Sequence, residues 1–147
     1  MTPFNFGGRT EQLTAALKRL MDARVLMAEE RWLGAMYLAG YAVECRLKAK
    51  LMEILNVWNL DELESQLARR FRQRLSLRTH ELEILMTFLD RLVGIRSRMR
   101  KEILRDYTLC SRWQTQFRYS PLDATKYECE SFFEAVERFS KFISTSC

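Results

Sequence analysis

WLGAMYLAGYAVECRLKAKLMEIL, residues 32–55, is the stretch whose reading decides the fold. Apolar or small residues recur at Leu33, Met36, Gly40, Val43, Leu47, Leu51 and Ile54, the spacing of threes and fours that marks one face of an α-helix. A second apolar line runs through Ala35, Leu38, Ala42, Cys45, Ala49 and Met52, so the first half of the helix is apolar nearly all round. Gly40 and the alanines near it allow neighbouring backbones to come close. No charge falls between Trp32 and Val43, and Glu44, Arg46, Lys48 and Lys50 follow at once. Crossing a bilayer takes about 20 apolar residues, and this run is much shorter. It is therefore a core helix and not a membrane segment.

The remaining composition agrees with a helical protein. A chain of 147 residues supports one domain, 1–147, with its own core. Five glycines and two prolines supply little material for turns, which favours long helices over a many-stranded sheet. No strand-like alternation, internal repeat or low-complexity run is present. The first residues lack a basic stretch followed by an apolar one, so the expected location is cytoplasmic. Cys45, Cys110, Cys129 and Cys147 show no close-paired spacing and read as reduced thiols.

Residues 1–9 read as an irregular lead-in. Thr10 is the expected cap of a first helix whose inner face carries Leu13, Leu17, Leu20, Ala23 and Met27. After the central helix, Asn59 caps a third helix with the face Leu60, Leu63, Leu67 and Phe71, and Asp61 and Glu62 lie favourably against its dipole. Thr79 starts a fourth, with the stripe Leu82, Leu85, Leu89 and Leu92 and a stop at Gly94. A fifth runs from about Ser97 to Leu109. Ser120-Pro121-Leu122-Asp123 has the form of a start for the last helix, whose inner side is Cys129, Phe132, Val136, Phe139 and Ile143. The expected architecture is an all-α bundle of five to six helices, mainly antiparallel.

The run YLAGYAVECRLKAKL at 37–51, with DARVLM at 22–27, THELEIL at 79–85 and RYSP at 118–121 before a long helix, resembles the HEPN family (higher eukaryotes and prokaryotes nucleotide-binding). The resemblance covers most of the chain, and the order of these motifs is more specific than any one of them. Ribonuclease members of that family carry an arginine and, four to six residues later, a histidine near the start of a late helix. The corresponding stretch here, Arg112 to Pro121, holds no histidine. It resembles instead the arginine-tyrosine-proline version, with Arg118-Tyr119 and a serine inserted before Pro121. Arg74 and the sole histidine, His80, match the spacing but in the wrong place, and His80 reads as a residue in the first turn of its helix.

The resemblance thus implies a nucleotide- or RNA-binding module without catalytic residues. Its candidate phosphate and base contacts are Arg112, Arg118 and Tyr119. The competing reading packs Trp113 and Tyr119 onto the bundle and pairs the arginines with carboxylates. Glu44 and Lys48 are spaced for a helical ion pair, or else Glu44 faces a groove near Arg118. Basic clusters at Arg69, Arg70, Arg72, Arg74 and Arg78, and at Arg96, Arg98, Arg100, Lys101 and Arg105, with a net charge of +5, suit an acidic partner. No metal or cofactor is expected. The expected partners are a second copy of the chain, a minimal nucleotidyltransferase, and a nucleotide or RNA. A metal-independent ribonuclease toxin acting at a dimer groove, and a purely structural helical protein, are the alternatives.

Overall fold

The computed structural model describes residues 7–72, 82–112 and 123–146. Within them the chain forms α1 (Arg9–Ala28), α2 (Trp32–Leu55), α3 (Leu60–Phe71), α4 (Leu82–Val93), a 3₁₀ turn (Ile95–Arg98), α5 (Lys101–Arg112) and α6 (Lys126–Thr145). Among the described residues there is no strand, and an isolated bridge joins Gly8 to Asn59. The all-α bundle is as the sequence indicates.

The central helix has the bounds read from its sequence and is buried along both apolar lines, with Leu33, Leu38 and Ile54 half-buried. α1 packs along it, joined by a turn in which Arg31 N–H reaches Leu26 C=O at 2.8 Å and Glu30 N–H reaches Met27 C=O at 3.1 Å. That is a Schellman ending, with Glu30 at φ 59° in the position that glycine usually fills. α2 ends in the same way. Asn56 takes φ 54°, and Val57 N–H bonds to Met52 C=O at 2.9 Å. Asparagine tolerates this left-handed conformation better than most residues.

The face of α1 differs from its leucine pattern. Its buried residues are Gln12, Ala16, Leu20 and Ala23, while Leu13, Leu17, Met21 and Val25 are 43–63% exposed. Two apolar stripes lie side by side on this helix. The one that turns inward carries alanines, because a close approach to the alanines of α2 rewards small side chains more than large ones. The helix also starts two residues earlier than expected, with Gly8 at the N-cap in place of Thr10.

Asn59 does cap α3, accepting from Glu62 N–H at 2.8 Å, and Gly94 ends α4 with φ 63°. α5 begins and ends later than expected, because the 3₁₀ turn occupies the residues before Arg100. α6 starts at Lys126. Its cap is Thr125, which accepts from Glu128 N–H at 3.1 Å while Glu128 bonds back to Thr125 N–H at 3.2 Å. Thr125-x-x-Glu128 is thus the capping box. Asp123, expected inside the helix, instead uses one carboxylate oxygen to take Leu33 N–H at 3.3 Å and Ala124 N–H at 2.9 Å. It therefore satisfies a free first-turn amide of α2.

Two polar locks fix α5. Asp106, 2% exposed, accepts two bonds of 2.9 Å from the Arg138 guanidinium of α6. Tyr107 donates its hydroxyl to Glu83 of α4, and Arg96 pairs with the same carboxylate at 2.6 Å. Between these elements lies one core cluster, with Phe88 and Phe139 its largest fully buried side chains. Thr79, Ser120 and Pro121 lie outside the described residues. Thr125→Ala and Asn59→Ala should each lower stability by about 1 kcal/mol, measured by urea unfolding, with no change in the denaturant slope.

Candidate functional site

Arg112 is the last residue of α5, and it lines two clefts. The first, about 570 Å³, runs along the outer face of α5 and is lined by Lys101, Leu104, Arg105, Thr108, Leu109 and Arg112. Lys101, Arg105, Thr108 and Arg112 follow at four, three and four residues, so they share one helical face about 16 Å long. The second, about 320 Å³, lies where α5 ends and α6 begins. Met36 of α2 and Phe132 form its apolar floor, and Arg112, Tyr127, Glu128 and Ser131 its polar wall. Tyr127 is 78% exposed in the first turn of α6. A guanidinium and an exposed phenol ring on one cleft can hold a phosphate and stack on a base.

Of the candidate contacts, Arg112 is therefore on a cleft surface. Arg118 and Tyr119 lie outside the described residues, as do Trp113, Arg74, Arg78 and His80. Tyr127 escaped the sequence reading because the last helix was started too early. With Thr125 recognised as the cap, Tyr127 falls in the exposed first turn.

Glu44 and Lys48 line neither of the Arg112 clefts. Their charged groups meet at 2.9 Å with side chains only 4% and 6% exposed, which makes them a buried ion pair one turn apart on α2. That is deep burial for an ion pair at the end of an apolar stretch. The neighbouring Cys45 thiol is pushed up to about 11 by burial and then by Glu44. Burial likewise raises Cys129 to about 11, with Glu130 adding to it, and raises Cys110. These three are free buried thiols that stay protonated at neutral pH and are poor nucleophiles.

The arginine clusters divide on inspection. Arg96 is committed to Glu83 and Asp90, and Arg98 donates to the Ser146 carbonyl. Lys101 and Arg105 line the outer cleft of α5. In the other cluster, Arg69 bonds to the Ser65 carbonyl at 3.4 Å. Among the described residues, no group of three or more metal-ligating side chains is close enough to hold an ion, and no helix is long and apolar enough to cross a membrane.

In comparisons with known proteins, no family model, curated protein or solved structure gives a significant match.

Breaking the Glu44–Lys48 pair from one side should be costly. Lys48→Met takes the ammonium away from a buried carboxylate and should lose about 3–5 kcal/mol. Replacing both, as Glu44→Leu with Lys48→Met, should recover most of that loss. Chemical denaturation of the two variants checks it, and a structural pair needs no ligand to show the effect.

Proposed function

We propose that this chain is a HEPN-like helical module that binds nucleotide or RNA and acts with a partner protein, a minimal nucleotidyltransferase in a toxin–antitoxin-like or defence pair. The observation that carries the reading is Arg112, shared by a basic face and by a cleft that Tyr127 also lines. The segment that follows Arg112 in sequence contains Arg118-Tyr119-Ser120-Pro121, the residues on which the family resemblance rests. Backbone phosphates would track Lys101, Arg105 and Arg112, and a base would stack on Tyr127. Such contacts position a nucleic acid without reading its sequence.

The same reading includes a twofold dimer. Of the residues from which surplus apolar surface is expected, Trp32, Phe71 and the phenylalanines of α6 are buried or half-buried in the core, Trp58 is 56% exposed, and Trp113 and Phe117 lie outside the described residues. The surplus is on α1, where Leu13, Leu17, Met21 and Val25 form an exposed stripe of threefold repeated i to i+4 spacing. Closed twofold pairing is the commonest way to cover such a face.

Fluorescence anisotropy with a short single-stranded RNA tests the binding site. Arg112→Ala and Arg118→Ala should each weaken binding by more than about tenfold, the value of one charge-assisted contact, while His80→Ala should leave it unchanged. Wild-type protein should not cleave the RNA, with or without magnesium. Cleavage that His80→Ala abolishes would replace this reading with that of a metal-independent ribonuclease. Light scattering at tens of micromolar protein should give twice the 17.5 kDa chain mass, and the mass of a monomer would remove the dimer.

A further inference from the structure

A second basic cleft lies at the other end of α6. It measures about 460 Å³ and is lined by Arg9 and Leu13 of α1, Arg46, Lys50 and Glu53 of α2, and Ile143 of α6. Ile143 stands about 24 Å along the helix axis from Tyr127, and the cleft shares no residue with those of Arg112. Among the described residues that line it, three cations face one carboxylate, an excess of two positive charges.

The one carboxylate is already engaged, because Glu53 meets Lys50 at 3.2 Å. Lys50 is itself only 7% exposed, an uncommon degree of burial for a lysine. Among the described residues neither Arg9 nor Arg46 forms an ion pair. The Arg9 guanidinium lies over the Trp58 ring, 3.9 Å from its centroid, and backbone bonds from Arg9 N–H to Trp58 and from Leu60 N–H to Gly7 hold that corner together. Arg46 has its Nε buried with no acceptor. A buried N–H without a partner is uncommon in native proteins.

The chemistry of the missing partner follows from the donors. A guanidinium offers N–H donors, its two Nη groups among them, in a planar array that matches the oxygens of a phosphate, and an ammonium adds a point charge. A dianionic phosphate balances the excess of two. Leu13, Ala49 and Ile143 provide an apolar wall beside the cations, suited to the carbon portion of an ester. The volume lies within the range of about 300–1,000 Å³ usual for small-molecule sites. We propose that this cleft binds a small phosphate monoester, its phosphate held by Arg9, Arg46 and Lys50. The site stands independently of the reading of Arg112.

Thermal unfolding of the full chain and ³¹P line broadening test it, with inorganic phosphate and glycerol 3-phosphate as probes and chloride at equal ionic strength as the reference. Both probes should raise the Tm by several degrees at about 10 mM, as expected of a ligand that binds only the native state. Arg46→Met and Arg9→Gln should each weaken phosphate binding by at least about tenfold. Lys18→Gln, the same charge change on the exposed side of α1, should leave it intact. Should Arg46→Met fail to fold, the comparison of Arg9→Gln with Lys18→Gln decides alone. The proposal is overturned if phosphate gives no shift beyond chloride. It also fails if binding survives in Arg9→Gln, or if Lys18→Gln loses it equally.

Discussion

The close approach of α1 to α2 is the constraint from which the rest of the structure follows. Ala16 and Ala23 on one helix and Ala35, Ala39 and Ala42 on the other are fully buried, and no larger side chain fits between backbones held that near. With one side of α2 occupied in this way, α3, α4 and α6 cover its remaining faces. A helix covered on most sides leaves little solvated surface for its charges, and Glu53, 59% exposed, holds part of what remains. The polar second half of α2 therefore resolves each charge individually: Glu44 against Lys48, Lys50 against Glu53, and Arg46 toward an open cleft.

That same economy sorts the arginines of the whole chain. Those that meet a carboxylate or a carbonyl act as fasteners. Arg138 clamps α6 to α5 through Asp106, and this bond holds its guanidinium above the usual basicity of arginine. Arg96 ties the 3₁₀ turn to α4. Among the described residues, two basic clefts lie toward opposite ends of α6, one around Arg112 and one around Arg46. Bunching in the sequence is thus a poor guide to a basic surface, because adjacent arginines on a helix point to different faces.

How much of this was legible in the sequence depends on the range of the signal. The central helix was read to its ends because its two apolar lines are long and uninterrupted. Asn59 and Gly94 were read because capping and left-handed stops are local chemistry. The inward face of α1 is legible in part: Leu20 and Ala23 turn inward as expected, while Leu13 and Leu17 are exposed and Ala16 takes the inner place, since hydropathy favours leucine and close packing favours alanine. The start of α6 was misplaced, because Ser120-Pro121 is a good local signal and Thr125-x-x-Glu128 a second one five residues on. Asp123 serves a helix 90 residues away, which no local pattern encodes. The candidate site shows the same division. Arg112 was found from its place in the order of elements. The cleft of Arg9, Arg46 and Lys50 draws on three separate helices and has no linear signature.

The three-residue turn at 29–31 also bears on how the chain reaches this state. It makes the alanine-lined pair of α1 and α2 a hairpin of low sequence separation, whose formation closes only a short loop. α6 has to return to α2 across most of the chain before Phe139 and its neighbours are rewarded by burial. Loop-closure entropy accordingly favours a sequence of events in which the hairpin assembles first as a platform and α6 docks late.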